Sequence, residues 1–384
     1  MIRVVRCDGS PADAATLVEA LAQALDGGPA VLPYDGERPT VPAGPVEPGA
    51  AVLIETTGST GAAKRVVLTA DALRAGAAAT HSRLGGPGRW LLALPTHHVA
   101  GVQVIVRALL AGAPPSMLDS RDGFRVPRFA RAASALFDAA PPGARHYTSL
   151  VPTQMHRVLA DGGAALDALR RFDAVLIGGA ATSTTLLAET LDAGVRAVTT
   201  YGMSETAGGC VYDGVPLDGV DVRLEGNDEE GRISLSGPML ASGYLDRPEL
   251  TTESFTDGWF RTSDLGRWDG SRLRVLGRAD DVITTGGESV NPASVERLLT
   301  AQPGIRAACV VGLDDPEWGQ TVAAALVLSD PATDVGEQLS KTIRAELGSP
   351  SVPRLVRVIE EIPLRGIGKP DRGAVMRLLR SGTS

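Results

Sequence analysis

Short strand-like runs alternate with helical segments between residues 50 and 201, and this alternation constrains the fold more than any other feature. Apolar strands separated by helices predict a layered α/β domain with a largely parallel sheet. Ligands of such sheets bind at the carboxyl ends of the strands, where this chain carries its glycine-rich and polar segments. The predicted strands are 51–57, 65–69, 89–95, 146–151, 172–179 and 195–200, and the predicted helices are 70–84, 99–112, 152–160 and 182–194.

The pattern changes after Tyr201, because short β-like segments dominate from Cys210 to Leu276 and predict a small β subdomain. The polar sequence GRADD at 277–281 reads as a junction. Beyond it we expect a compact α+β unit with helices at 291–302 and 336–348 and strands at 307–313, 321–328 and 354–362. Residues 27–50 are rich in Gly and Pro, which favours a surface connection.

Composition narrows the class of protein. A chain of 384 residues is too long for one ordinary core and predicts two or more domains. The net charge of -8 argues against a nucleic-acid-binding protein, which usually needs a basic face. The three cysteines are far apart, which fits a reducing cytoplasm. The N-terminus lacks the apolar core of a signal peptide, and the most apolar stretch, 90–113, holds two histidines and an arginine, so we expect no membrane span.

The segment TTGSTGAAK, from Thr56 to Lys64, is the first candidate site. It follows an apolar strand and packs two glycines among four hydroxyl residues, so that several backbone N–H groups can converge on an anion. A flexible linker is the alternative interpretation, but a linker needs neither the strand before it nor the lysine after it. It is not a Walker A loop, since Ala63 stands where that motif needs Gly. Lysine is rare here, occurring only at Lys64, Lys341 and Lys369.

This loop resembles the phosphate loop of the acyl-adenylate-forming (AMP-binding) superfamily, although Ala63 replaces the proline that the superfamily has before its lysine. Six further segments resemble superfamily motifs in the same order along the chain. They are HHVAG (97–101), GGA (178–180), YGMSET (201–206), TSDLG (262–266), GRADD with the following GGE (277–288), and GIGK (366–369).

The resemblance implies a role for each matching residue. Lys369, His98 and Glu205 are the implied catalytic residues, and Glu205 is also the implied Mg²⁺ ligand. The implied ATP-binding residues are Thr57, Gly58, Ser59, Thr60, Gly61, Lys64, Gly179, Ala180, Tyr201, Gly202, Met203, Ser204, Asp264 and Arg278. The implied acyl pocket comprises His97, His98, Thr153, Gly178 and Gly179; Asp280 is the implied hinge, and Gly286 and Gly287, with Glu288 beside them, would face coenzyme A.

The residue types suit these roles. The ring of Tyr201 offers a π face for a purine, and Asp264 can accept two hydroxyl hydrogen bonds. Glu205 is a hard oxygen ligand suited to Mg²⁺. Taken singly, Tyr201 fits a core aromatic, Asp264 a turn residue, Arg278 a solvated charge and His98 a structural histidine. The order of the motifs favours the functional interpretation.

The resemblance also implies the organisation and the reaction. It implies a large N-terminal layered α/β domain with a β subdomain at 1–277 and a small mobile α+β domain at 278–384. The implied activity is ATP-dependent, Mg²⁺-dependent formation of an acyl-adenylate and then of a coenzyme A thioester. The short N-terminus, HHVAG and YGMSETAGG are most similar to the 2-succinylbenzoate–CoA ligases of menaquinone biosynthesis.

Alternatives stay open. Another acyl- or aryl-CoA ligase, an enzyme that loads a carrier protein, and a non-catalytic nucleotide-binding protein are the rival hypotheses. Arg145, His146 and Thr153 flank the strand–helix junction where the superfamily places its acyl pocket, and they are candidates to meet a second substrate carboxylate. A structural role is the alternative for each of them. The sequence does not reveal the oligomeric state; many enzymes of this size are symmetric dimers, which makes a homodimer one candidate assembly.

Overall fold

The computed structural model describes residues 1–41, 46–57, 63–226, 230–329, 333, 335–365 and 368–381. The chain divides into two compact units. The first comprises Met1–Thr182, Glu189–Arg223 and Ser234–Arg261, and the second comprises Ser183–Ala188, Leu224–Ile233 and Thr262–Ser384. The domain boundary between 277 and 278 stays a prediction.

Several of the helices begin at a capping residue or a proline. In chain order they are α1 (Pro11–Leu25), α2 (Ala70–Arg83), α3 (Val99–Leu110), α4 (Val126–Ala139), α5 (Pro152–Asp161), α6 (Gly163–Arg171), α7 (Thr184–Asp192), α8 (Pro248–Ser254), α9 (Pro292–Thr300), α10 (Glu337–Leu347) and α11 (Arg372–Arg380). Thr69 caps α2 through a hydrogen bond of 3.1 Å from Ala72 N, as the sequence predicts. No helix within these ranges has the length and apolar character needed to cross a membrane.

In the described part of the chain, the strands form four larger sheets and one two-stranded sheet. In chain order they are β1 (Ile2–Arg6), β2 (Ala30–Tyr34), β3 (Ala50–Thr57), β4 (Ala63–Thr69), β5 (Arg89–Leu92), β6 (Ser116–Met117), β7 (His146–Leu150), β8 (Ala174–Ile177), β9 (Ala197–Met203), β10 (Gly208–Tyr212), β11 (Val215–Pro216), β12 (Asp221–Gly226), β13 (Glu230–Ser236), β14 (Gly243–Tyr244), β15 (Phe255–Thr256), β16 (Trp259–Asp269), β17 (Arg272–Arg278), β18 (Ile283–Thr285), β19 (Glu288–Val290), β20 (Ile305–Asp315), β21 (Gly319–Leu328), β22 (Leu355–Val358), β23 (Leu364–Arg365) and β24 (Lys369–Pro370).

The first sheet has the order β1-β2-β3-β4-β14. The first three strands are parallel, whereas β4 returns antiparallel to β3, and β14 pairs antiparallel with β4. The expectation of a surface connection throughout residues 27–50 is therefore wrong at Ala30–Tyr34, which forms the strand beside β1. The apolar run of this segment favours a strand although it contains Pro33, which lacks a backbone N–H. Pro33 is tolerated because β2 pairs with β3 only at Val31, so the missing N–H interrupts no hydrogen bonding to β3.

The second sheet confirms the predicted, largely parallel α/β layer. Its order is β11-β10-β9-β8-β7-β5-β6, and the pairs from β6 to β9 are parallel. The chain reverses after β9, so β10 runs antiparallel to it, and the predicted β subdomain therefore begins after Pro216 rather than at Cys210. Large buried side chains fill the core around these strands, including Trp90, Tyr147, Phe129 and Phe172.

The remaining sheets lie later in the chain. One has the order β12-β13-β16-β15, with β17 beside β16. The other has the order β19-β18-β21-β20, with β22 parallel to β21. A buried cluster that includes Val295, Leu299 and Ile343 fills the space between this sheet, α9 and α10. The α+β unit that the sequence predicts after residue 281 is confirmed.

Candidate active site

The hairpin of β3 and β4 holds the ends of the predicted phosphate loop. Thr56 is paired with Lys64, and Thr57 with Ala63. Gly58, Ser59, Thr60 and Gly61 lie outside the described residues. What the structure establishes is the base of the loop, where Lys64 emerges from the start of β4 with its side chain 26% exposed.

Lys64 meets Glu205 and Tyr244 in a three-residue cluster. The ammonium Nζ of Lys64 lies 2.7 Å from Glu205 Oε1 and donates to the Tyr244 hydroxyl at 3.0 Å. The same hydroxyl donates to Glu205 Oε1 at 2.9 Å. Burial alone would lower the pKa of Lys64, but the charge and hydrogen bond of Glu205 outweigh it, so the pKa lies above its ordinary value. Two residues predicted separately, one for phosphate and one for metal, are thus neighbours.

A tight turn fixes Glu205 between β9 and β10. Met203 N donates to Thr206 Oγ1 at 2.9 Å, and that hydroxyl lies 2.7 Å from Gly208 O. The backbone carbonyl of Glu205 accepts from Ala241 N at 2.8 Å. The turn residues Ser204, Glu205 and Thr206 are all buried. The carboxylate therefore projects from a backbone that is hydrogen-bonded on both sides.

Further predicted site residues lie at the carboxyl ends of β8 and β9, and β9 leads directly into the turn that holds Glu205. Gly178 follows β8, and a Cβ there would lie 2.2 Å from Thr200 Oγ1, so only glycine fits. Gly179 has φ +81°, and Ala180 follows it. Tyr201 and Gly202 belong to β9, where Tyr201 is paired with Val211 of β10. These glycines leave the strand ends without side chains, which suits close approach of a flat ligand.

His97 and His98 lie directly before α3, and their ring centroids are 4.2 Å apart. His98 is the N-cap residue of α3, immediately before its first residue, Val99. Burial lowers the pKa of His97, whose Nδ1 is buried and has no hydrogen-bond partner among the residues that the structure describes. The glycine of this motif has a packing role, because a Cβ at Gly101 would lie 2.2 Å from Pro95 O.

Thr153 and the pair Arg145–His146 lie at opposite ends of β7. His146 is the first residue of the strand, whereas Thr153 lies in the first turn of α5, just past its carboxyl end. At about 3.3 Å per residue, a strand of five residues separates its ends by roughly 15 Å. The backbone of His146 instead donates to Asp173 Oδ2 at 2.8 Å. The expectation that all three flank one junction is wrong, and only Thr153 lies at the carboxyl edge of the sheet.

In the second unit, Asp264 and Arg278 face each other across β16 and β17. Arg278 Nη1 lies 4.0 Å from Asp264 Oδ1. Arg278 also makes two hydrogen bonds to the carboxylate of Asp280, at 2.8 and 2.6 Å. The hydrogen bond with Asp280 and its charge hold the pKa of Arg278 above its usual range. The predicted hinge residue Asp280 is thus paired with Arg278, a predicted ATP-binding residue that also lies beside Asp264, the predicted ribose contact.

The loop between β18 and β19 carries Gly286 and Gly287, with Glu288 at the start of β19. Gly286 N donates to Trp318 O at 2.9 Å. Trp318 is 37% exposed, and the guanidinium of Arg354 lies 4.3 Å from the centroid of its ring. This loop therefore has a defined aromatic neighbour that sequence patterns did not single out.

Lys369 begins the short strand β24 and is exposed. Arg365 of β23 is its backbone partner. Three residues later Arg372 begins α11 and enters a network with Glu296, Val310 and Asp281. Gly366 and Ile367 of the GIGK motif lie outside the described part of the chain.

Glu205 is compatible with Mg²⁺ bound mainly by a substrate. Within the described residues, no group of three or more His, Cys, Asp or Glu side chains could hold a metal ion. Mg²⁺ is often bound by one or two protein carboxylates together with substrate phosphates and water, and a single buried glutamate beside a phosphate-loop lysine fits that mode.

A reactive thiolate at Cys210 is disfavoured, since burial raises the pKa of its thiol to about 12.

Comparison with known proteins gives one consistent result. Residues 4–245 match the model of the AMP-binding enzyme family, and residues 294–369 match that of the AMP-binding enzyme C-terminal domain. A probable 2-succinylbenzoate–CoA ligase of Mycobacterium tuberculosis is 44% identical over 338 residues, covering 86% of this chain and 85% of its own. A feruloyl-CoA synthase of Amycolatopsis is 32% identical, covering 89% of this chain and 72% of its own.

A solved structure agrees with these relatives. The O-succinylbenzoate coenzyme A synthetase of Bacillus subtilis, in complex with AMP, is 27% identical with a TM-score of 0.72. The match covers 84% of this chain and 68% of that one. Motif order, fold and extent of similarity agree, and the chain belongs to the AMP-binding enzyme family.

Proposed function

We propose that this protein is an ATP-dependent acid–CoA ligase that converts 2-succinylbenzoate to 2-succinylbenzoyl-CoA. One observation carries the proposal: Lys64, at the base of the predicted phosphate loop, lies 2.7 Å from Glu205, so the cation predicted to bind phosphate and the carboxylate predicted to bind metal are neighbours. The name of the relative that is 44% identical supports 2-succinylbenzoate as the acid.

The first half-reaction joins the acid to AMP. An oxygen of the substrate carboxylate attacks the α-phosphorus of ATP, and pyrophosphate leaves in line. We assign the leaving phosphates to Lys64 and to the loop residues Thr57, Gly58, Ser59, Thr60 and Gly61. Lys369 stabilises the negative charge that develops between carboxylate and phosphate. Glu205 would hold Mg²⁺, which would supply further charge neutralisation on the phosphates.

The nucleoside and the acid occupy the strand ends. Tyr201 contacts the adenine with Gly179 and Ala180, and Asp264 holds the ribose. Further ATP-binding residues are Gly202, Met203, Ser204 and Arg278. His97, His98, Thr153 and Gly178 form the acyl pocket. Thr153 remains in the proposed acyl pocket because it follows the carboxyl end of β7, and ligands of such sheets bind at the carboxyl ends of the strands.

The second half-reaction forms the thioester. The thiol of coenzyme A attacks the acyl carbon, AMP leaves, and a C–S bond replaces the mixed anhydride. We propose that a C-terminal domain beginning at 278 rotates about Asp280 between the half-reactions, which replaces Lys369 by the face of Gly286 and Gly287. A homodimer and a cytoplasmic location complete the proposal.

Two rivals have the same first half-reaction. A related aryl–CoA ligase is favoured by the feruloyl-CoA synthase that is 32% identical. An enzyme that loads a carrier protein would form the adenylate but would not use free coenzyme A. A non-catalytic nucleotide-binding protein would do neither, and the presence of Lys369, Glu205 and Asp264 opposes it.

The test is an acid panel. The protein is incubated with ATP, Mg²⁺ and 2-succinylbenzoate, benzoate or ferulate, with and without coenzyme A. Pyrophosphate release and acyl-CoA mass are both measured. We expect selective release with 2-succinylbenzoate and a CoA thioester of that acid. Preference for ferulate would replace the acid assignment, an adenylate that persists with coenzyme A would favour carrier-protein loading, and no release with any acid would refute the ligase proposal.

A further inference from the structure

The hydroxyl of Tyr244 joins the two opposite charges of the candidate site. It accepts from Lys64 Nζ at 3.0 Å and donates to Glu205 Oε1 at 2.9 Å. An ammonium group can only donate, so the single phenolic proton is left for the carboxylate. Tyr244 is therefore a direct hydrogen-bond donor to the predicted Mg²⁺ ligand.

The chain holds this phenol in place from several sides. Tyr244 is paired with Val66 across β14 and β4, the strand that carries Lys64. Its backbone N–H donates to Thr251 Oγ1 at 2.9 Å, and its ring packs edge-on against Phe255 at 5.7 Å. The side chain is almost fully buried. A hydroxyl fixed in this way can orient a neighbouring group, whereas a mobile one could not.

We propose that Tyr244 is a positioning residue that keeps the Glu205 carboxylate oriented for Mg²⁺–ATP. The proposal rests on the proposed function, in which Lys64 binds phosphate and Glu205 binds the metal ion. When Lys64 turns to phosphate, Glu205 loses its ion pair, and the Tyr244 O–H remains as its hydrogen-bond donor. A ligand held by such an outer partner binds metal more tightly, because less order must be created on binding.

The experiment measures how strongly Mg²⁺ improves ATP binding. Titration calorimetry gives the Kd of ATP for the full chain with Mg²⁺ and with EDTA, without acid or coenzyme A. The ratio of the two values is the Mg²⁺ coupling. In Tyr244→Phe we expect this coupling to fall about tenfold, the usual effect of removing an outer partner of a metal ligand. Tyr147→Phe is the matched control, since its buried hydroxyl donates instead to Leu84 O and Gly86 O.

Glu205→Gln completes a double-mutant cycle. If Tyr244 acts through Glu205, the double variant should show the same coupling as Glu205→Gln alone. A wild-type coupling in Tyr244→Phe, or an additional loss in the double variant, would overturn the proposal. So would a wild-type protein whose ATP binding does not depend on Mg²⁺.

A second variant protects the test against misfolding. Thr251→Val removes the hydrogen bond to Tyr244 N and keeps the phenol, so we expect a smaller fall in coupling; an unchanged coupling would contradict the proposal. The outcomes remain separable from the proposed function, because no acid is present. A protein with Mg²⁺-coupled ATP binding that activates no acid refutes the ligase proposal and leaves the role of Tyr244 standing.

Discussion

Arg372 Nη1 lies 2.6 Å from Glu296 Oε1, and the two residues are 76 positions apart in the chain. The same guanidinium donates to Val310 O at 2.6 Å and to Asp281 Oδ2 at 3.1 Å. Both partners of the pair are largely buried. Since Arg372 follows Lys369 by three residues and Asp281 adjoins Asp280, one side chain connects the segment of the predicted catalytic lysine to the predicted hinge.

Replacing Arg372 should therefore loosen this part of the protein. In Arg372→Met, Glu296 loses its cation while it stays largely buried, and we expect a loss of about 2–3 kcal/mol, below the usual cost of breaking a fully buried pair because a quarter of the arginine is exposed. Hydrogen–deuterium exchange of the full chain should rise in α9, β20 and α11. The double variant with Glu296→Leu should recover part of the protection, and unchanged exchange in Arg372→Met would contradict the structural role.

Lys369→Ala separates the two half-reactions. We expect adenylation to fall about 10²–10³-fold, because a donor aimed at the developing charge is lost. Thioester formation from supplied acyl-adenylate should persist, since the proposed rotation has already removed Lys369. Lys341→Ala is the control, as Lys341 is exposed and paired with Glu337. Equal loss of both half-reactions would refute the rotation.

Two glycines near helix starts should respond oppositely to alanine. In Gly101→Ala, the new Cβ would lie 2.2 Å from Pro95 O, a backbone atom, so we expect a cost of about 1–3 kcal/mol. In Gly373→Ala, the nearest atom would be Asp371 Oδ1 at 3.4 Å, and we expect stabilisation of about 0.5–1 kcal/mol from reduced unfolded-state entropy. Thermal unfolding of both variants checks the prediction, and equal shifts would contradict it.

Stability should fall in mild acid. Burial, with a contribution from the charge of Arg107, lowers the pKa of His81, and burial also lowers the pKa values of His97 and His146. The unfolded chain takes up protons near pH 6.5, at higher pH than the folded chain, so this stability is present above about pH 6.5 and is lost as the pH falls below it. Urea midpoints at pH 7.5 and 5.5 should differ less for His81→Gln than for the wild type. An identical difference would exclude His81 as a contributor.

Local patterns predicted much of the fold. The apolar runs of β3, β4 and β8, the cap at Thr69 and the start of α5 at Pro152 need only neighbouring residues to be recognised. β2 was missed because the Gly and Pro content around it outweighed a five-residue apolar run. His146 was misplaced because two flanks of one strand were treated as one junction, although strand direction sends them to opposite edges.

The candidate site needed the fold itself. Lys64 and Glu205 follow strands and fall into recognisable segments, whereas Tyr244 lies 180 positions after Lys64 and carries no local signal. It reaches the site only because β14 pairs with β4. Trp318 and Arg372 were missed for the same reason, since their partners are distant in sequence. The roles assigned to the individual site residues stay predictions.

The scarcity of lysine gives the ion pair of Lys64 a practical consequence. Apart from the N-terminus, the chain has amines only at Lys64, Lys341 and Lys369. Lys64 is engaged by Glu205 and Tyr244, whereas Lys369 is exposed. Labelling with an amine-reactive reagent, followed by mass spectrometry, therefore monitors two segments of the proposed site, and only Lys341 and the N-terminus give additional signals. An increase in the labelling of Lys64 would show that its ion pair with Glu205 has opened.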